Sequence, residues 1–171
     1  FGIQVDDMYD LWRESLGVIL GAWESEGDFE WDGKFFQIPP REISVKPLQK
    51  PYPPTYYAAF SPQSHELAGE LGLGLMTSTA GVTIDKVQAR IELYRKALER
   101  ATPIGSQVNP RVSLTLLGHC APTEEQARAE SEQALIDYFV SATAVYREMV
   151  GRTNPDVDFS GLRQQYTYDN M

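Results

Sequence analysis

The stretch "TYYAAFSPQSHELAGELGLGLMTS", Thr55 to Ser78, limits the possible folds more than any other part of the chain. "TYYAAF" reads as a short strand, apolar on both faces as buried parallel strands are. A helix from about Pro62 to Leu71 follows and stops at Gly72, a residue suited to a helix C-terminus. "LGLMTS" is the next strand. Strand, helix and strand in so few residues leave room only for a tight parallel crossover.

The flanking segments extend that alternation. Asp6 or Asp7 is placed to cap a helix with Tyr9, Trp12, Leu16, Ile19, Leu20 and Trp23 on one face. In "FEWDGKFF", Asp32-Gly33 between aromatic flanks predicts a two-residue hairpin turn, because glycine tolerates positive φ. "IPPREISVKPLQKPYPP" holds six of the eleven prolines and reads as an extended strap without internal hydrogen bonds. After a turn at Gly81, Ile84, Val87, Ile91, Tyr94 and Leu98 predict a long amphipathic helix. "RVSLTLLGHC" is a third strand, and Thr123 with Gln126 predicts a capping box opening a last helix. The tail after Gly151 is polar and weakly periodic.

Helices alternating with three buried strands imply a parallel sheet, open or closed as a barrel. A complete eight-fold barrel takes roughly 250 residues, and 171 hold about three of its units. The sequence therefore reads as one α/β piece. Residues 1–24 form a helix, 29–54 a hairpin and strap, 55–150 three β/α units, and 151–171 a tail. A three-stranded parallel sheet with free edges is a poor independent fold, so this piece alone is expected to be aggregation-prone.

Charge narrows the partners. Twenty-four Asp and Glu against fifteen Lys and Arg give −9, which repels nucleic-acid backbones and anionic membranes. A single cysteine, Cys120, excludes an intramolecular disulfide and fits a reducing, cytoplasmic setting. No apolar run approaches a membrane span.

In a barrel the working face lies at the C-terminal ends of the strands. "TYYAAF" ends at Ser61, which puts Ser61 to Ser64 on that face at a helix N-terminus. Ser61 reads as the cap and Pro62 as the first helical residue, where a missing N–H costs nothing. The N–H groups of Gln63 and Ser64, with the hydroxyls of Ser61 and Ser64, are the right donors for an anion. A plain helix cap is the alternative reading of the same residues. No Arg or Lys is near in sequence and Glu66 adds negative charge, so cationic help is expected from outside the chain. Small residues at Ala58 and Ala59 let a flat ring approach, and Thr77, Ser78 and Thr79 end the next strand on the same face. His119 and Cys120 end the third strand, but no second ligand cluster supports a metal or nucleophile there. His65 reads as lying on a solvated helix face.

The run "GKFFQIPPREISVKPLQKPYPPTYYAAFSPQSHELAGELGLGLM" resembles the bacterial luciferase-like flavin monooxygenases. Shared are the "G-K-F-aromatic" hairpin, the "P-K-P-x-Q-x-P-x-P-P"-like strap, and the strand ending in serine before an "A-x-x-x-G-x-G" helix. The terminal Trp of the first helix and "T-E-E-Q-A-R" also have family look-alikes, so the resemblance extends to about residue 150. It implies a partial (β/α)8 TIM barrel: the fourth helix, a β-hairpin insertion, and strands five to seven with their helices. It further implies reduced FMN as cofactor, with Ser61, Gln63 and Ser64 at its phosphate, and Ala59, Phe60, Thr77 and Ser78 beside the rest of the molecule. A separate flavin reductase would supply the electrons, O2 the oxidant, and a small organic molecule the substrate; a homo-oligomer is compatible. No catalytic residue is assigned, because the family's candidate histidine lies outside this stretch, and the piece alone is expected to be inactive. Two alternatives stay open: a deazaflavin-dependent oxidoreductase of the same fold, and a non-catalytic flavin-binding or structural relative.

Overall fold

The structure is a computed structural model that describes residues 4–79 and 82–151. Gly81 and the tail beyond Gly151 lie outside the described residues. The chain divides into two compact units, one running to Thr77 and resuming over Gln88–Ser113, the other made of Ser78–Val87 and the chain from Leu114 onward.

A 3-10 turn, Val5–Asp7, leads into α1, Met8–Glu24. Leu20 is its buried residue, while Tyr9 and Ile19 of the expected apolar face are largely exposed. Asp7 does not cap the helix with its side chain. Its carboxylate instead accepts from Lys34 Nζ at 2.7 Å, which ties the helix start to the hairpin loop.

That hairpin is β1, Phe29–Asp32, against antiparallel β2, Gln37–Arg41. Asp32 pairs with Gln37, so the loop has four residues, 33 to 36, rather than two. The cause is a carboxylate from outside the hairpin. Glu14 of α1 accepts from the N–H groups of Phe35 and Phe36 and from the Trp31 indole, at 2.9 to 3.2 Å, holding the loop open around it. Gly33 serves by lacking a side chain, since a Cβ there would run into Glu14 and Trp31. Gly17 and Gly21, one turn apart on α1, make space for the Trp31 and Phe29 rings in the same way. The first residues of the proline-rich strap are thus strand. Further along it, Lys46 Nζ donates to the carbonyls of Ala22 and Ser25 at 2.6 and 2.7 Å, satisfying groups at the C-terminus of α1.

The parallel sheet has the order β3, Tyr56–Ala58; β4, Gly74–Ser78; and β5, Val112–Thr115. Between β3 and β4 runs α2, Pro62–Glu70, ended by Gly72 at φ +68°, a conformation glycine adopts at no steric cost. The register pairs Tyr56 with Gly74 and Ala58 with Met76. The predicted tight crossover is therefore present. Ala59, Ala68, Leu75 and Tyr94 form the core between this sheet and the helices α2 and α3 (Ile84–Leu98), with Tyr57, Ile91, Leu98 and Val112 packed against it. β5 is shorter than the sequence suggests, and His119 and Cys120 lie past it, both exposed.

In the second unit α4 spans Glu124–Gly151. Thr123 Oγ1 accepts from Gln126 N at 3.2 Å, but the Gln126 side chain turns to Glu130 instead of completing the box. No helix among the described residues is long and apolar enough to cross a membrane.

Candidate functional site: the turn between β3 and α2

The alternation of β3 decides what its end can offer, because successive side chains point to opposite faces. Tyr56, Ala58 and Phe60 are on the open face, and Phe60 is 73% exposed. Ala59 is fully buried on the helix side. The small residue available to a flat ring is therefore Ala58, not Ala59.

Ser61 follows in extended backbone, at φ −94° and ψ 158°, and caps α2. Its Oγ accepts from Ser64 N at 3.1 Å, while Ser64 Oγ accepts from Ser61 N at 2.9 Å and Phe60 N at 3.1 Å. This is a complete capping box, with serine where glutamate or glutamine is usual. The Ser64 hydroxyl proton is also held inside the turn. Ser64 Oγ donates to Ser61 O at 2.8 Å, and the two hydroxyl oxygens lie 3.1 Å apart. The first helical bond, His65 N to Ser61 O at 3.2 Å, lies one residue further on. Gln63 N–H thus precedes the helical ladder, at an exposed position of the turn.

Sequence reading misplaced two residues around this turn and missed a third. His65 is not solvated: it is completely buried. Its Nδ1 lies 2.7 Å from Ser61 O and its Nε2 2.9 Å from Thr77 Oγ1. A carbonyl only accepts, so Nδ1 carries the proton; in the neutral ring Nε2 then accepts from the Thr77 hydroxyl. Burial pushes the imidazole below its ordinary pKa; the Ser61 carbonyl opposes this, and the positive charge of Arg90 adds to it. Thr77 is only 4% exposed, so its hydroxyl serves the histidine rather than an open pocket. Ser78, the first residue of the second unit, donates to Thr115 O at 3.4 Å within that unit.

The missed residue is Arg90. It lies thirty positions along the chain on α3, and its Nη1 donates to Phe60 O at 2.7 Å, one residue before the cap. Helical spacing alone gave no reason to bring it to this turn; the packing of α3 beside α2 does. The expectation that any cation must come from outside the chain is corrected. Glu66, read as a local negative charge, is paired with Arg100 at 2.7 Å on another side of α2.

In the second unit, His119 Nε2 and Glu130 Oε2 are 2.7 Å apart and both exposed. The imidazole, then Gln126, holds the Glu130 carboxyl below the usual range.

The arrangement is a parallel β/α unit presenting an N-terminal helix turn at the C-terminal end of a strand, with an arginine on the adjoining carbonyl. The sequence model for luciferase-like monooxygenases matches residues 1–169, and the chain belongs to that family. It is 29% identical over 126 residues to the oxygenase component of the flavin-dependent trigonelline monooxygenase of Acinetobacter baylyi, covering 74% of this chain and 34% of that protein. To the FMNH2-dependent dimethylsulfone monooxygenase of Pseudomonas putida it is 24% identical over 127 residues, covering 74% and 33%. Among solved structures, monooxygenase RslO1 from Streptomyces bottropensis superposes with a TM-score of 0.63 at 21% identity, over 87% of this chain and 46% of that one. DmoA from Hyphomicrobium sulfonivorans gives 0.63 at 16% identity, over 95% and 41%. These likenesses support the partial-barrel fold, and the chain spans a third to under half the length of these four proteins.

Proposed function

We propose that this chain provides the phosphate seat of an FMN-dependent monooxygenase that oxidises a small organic substrate. The observation that carries the reading is the Ser61–Ser64 turn at the C-terminal end of β3, with the Arg90 guanidinium at the adjoining carbonyl. The donor set fits a phosphate monoester. Gln63 N–H and the two hydroxyls offer directed hydrogen bonds, the N-terminus of α2 adds partial positive charge, and Arg90 adds a full one. Ala58 and Met76, paired across β3 and β4, leave one small and one adaptable apolar side chain on the open face beside the turn.

Bound reduced flavin would supply the electrons with which O2 is activated and the substrate oxygenated. This chain's own residues would hold the phosphate end and so fix how far the ring reaches across the strand ends. The "oxygenase component" in a relative's name favours a separate reductase as electron source. FMN is preferred to a deazaflavin because the flavin-dependent relatives include one named for FMNH2.

The test compares FMN with riboflavin, which lacks the phosphate, on the intact protein. FMN is expected to bind more tightly. Ser61→Ala with Ser64→Ala should weaken FMN about tenfold or more while leaving riboflavin unchanged. An FMN-to-riboflavin preference unaltered by the double substitution would overturn the seat. Substrate-dependent O2 consumption with reduced FMN distinguishes an oxygenase from a flavin carrier.

A further inference from the structure

We infer that His65 is a positioning residue that makes the Ser64 hydroxyl proton available to the bound anion; this rests on the phosphate-seat reading. Three donors converge on one acceptor, the carbonyl of Ser61: Ser64 Oγ at 2.8 Å, His65 N at 3.2 Å and His65 Nδ1 at 2.7 Å. A carbonyl oxygen has two lone pairs. One donor is therefore in excess, and of the three only the Ser64 hydroxyl is free to rotate away. The backbone N–H is fixed in the helix, and the imidazole is fixed by burial and by Thr77.

Without the histidine, turning the Ser64 hydroxyl toward a ligand would leave Ser61 O with only the long backbone bond. With it, the shortest of the three bonds stays in place, and the rotation leaves no unsatisfied acceptor. Thr77 completes the device. Its hydroxyl donates to Nε2, so a residue on β4 satisfies and orients the ring in the tautomer that the Ser61 carbonyl, which can only accept, imposes. The other groups set against the ring are consistent with a neutral imidazole. Arg90 on α3 bears the like charge that opposes protonation, and the nearest carboxylate in sequence, Glu66, is engaged by Arg100.

The experiment uses the intact protein, with oxidised FMN and riboflavin as probes, and the variants His65→Phe and His65→Asn. Phenylalanine keeps the ring and loses both hydrogen bonds; asparagine restores a donor close to the Nδ1 position. The FMN-to-riboflavin preference should fall about tenfold in His65→Phe and recover in part in His65→Asn, with riboflavin affinity constant. A purely structural histidine would lower the melting temperature and leave the preference at its wild-type value, which would overturn the inference. Nitrogen-15 NMR of the ligand-free protein gives a reading that does not depend on either variant folding. A neutral Nδ1–H ring supports the inference, and an Nε2–H ring refutes it. If the wild-type protein itself shows no preference for FMN, the phosphate seat fails first and the role of His65 falls with it.

Discussion

The two ends of the parallel sheet of the first unit are both closed by polar networks, and the networks differ in kind. At the N-terminal ends of the strands, Asn109 is 6% exposed and joins three segments. Its Nδ2 donates to Thr55 O at 2.9 Å, its Oδ1 accepts from Arg111 N at 3.3 Å, and its backbone N–H reaches Gly72 O at 2.8 Å. The fully buried Tyr94 hydroxyl lies 2.9 Å from Asn109 O and 3.1 Å from Leu73 O, and burial pushes its phenol above the ordinary range. The side chains in this network are uncharged, and its bonds tie the strand starts to one another and to α3. At the opposite end the network contains an ionisable ring, an arginine and a turn whose hydroxyls have a choice of partners. The first arrangement fixes the barrel segment; the second holds a surface ready to exchange bonds.

The largest expected effect breaks that contrast from the N-terminal side. Asn109→Ala strands buried partners on Thr55 and Arg111, and should cost about 2–3 kcal/mol in a denaturant titration. The FMN-to-riboflavin preference should survive it. A loss of preference equal to that of the serine substitutions would show that the two ends are not separable.

Arg90→Gln acts from the other side. FMN should weaken about tenfold with little change in stability. The same change removes a positive charge beside His65, so the imidazole pKa should rise toward its ordinary value of about 6.5, read by NMR titration. The sign for stability follows. A histidine whose folded pKa is lowered leaves the unfolded chain to take up the proton first. Stability is then complete above about pH 6.5 and declines as pH falls through the folded value. Arg90→Gln should shallow that decline, and His65→Phe should abolish it.

The smallest effect concerns the hairpin, which belongs to neither network. Partial burial would raise the Glu14 carboxyl, but the N–H groups of Phe36 and Phe35 and the Trp31 indole outweigh it, and the net direction is downward. The stability it contributes is present above the ordinary carboxylate pKa and is lost as pH falls through the lowered one. Glu14→Gln should flatten the acid limb of a stability–pH curve and leave flavin binding untouched.

These differences track what the sequence made visible. Local signals were reliable where a few adjacent residues decide the outcome: Ser61-Pro62 opening α2, Gly72 closing it, and the parallel pairing of β3 with β4. They failed where a distant residue intervened. The hairpin loop was read as two residues because Glu14 was out of sight, and the seat was read as lacking a cation because Arg90 arrives from the next helix. His65 reads as solvated from its own helix, whereas its ring finds a buried hydroxyl on Thr77, twelve positions away. Ala59 reads as the flavin's neighbour until the strand's phase turns it to the helix side and leaves Ala58 on the open face.

The capping box has one more consequence, for the timing of turnover. A cofactor delivered by a partner enzyme has to arrive and depart in every cycle. In the proposed seat, a departing phosphate would let the Ser64 hydroxyl return to the Ser61 carbonyl, leaving the turn self-satisfied again. Such a seat gives up its guest without a large reorganisation barrier, and its exchange rate should be set by the strength of the anion contacts alone. A two-component oxygenase needs that property, and a permanently loaded flavoprotein does not.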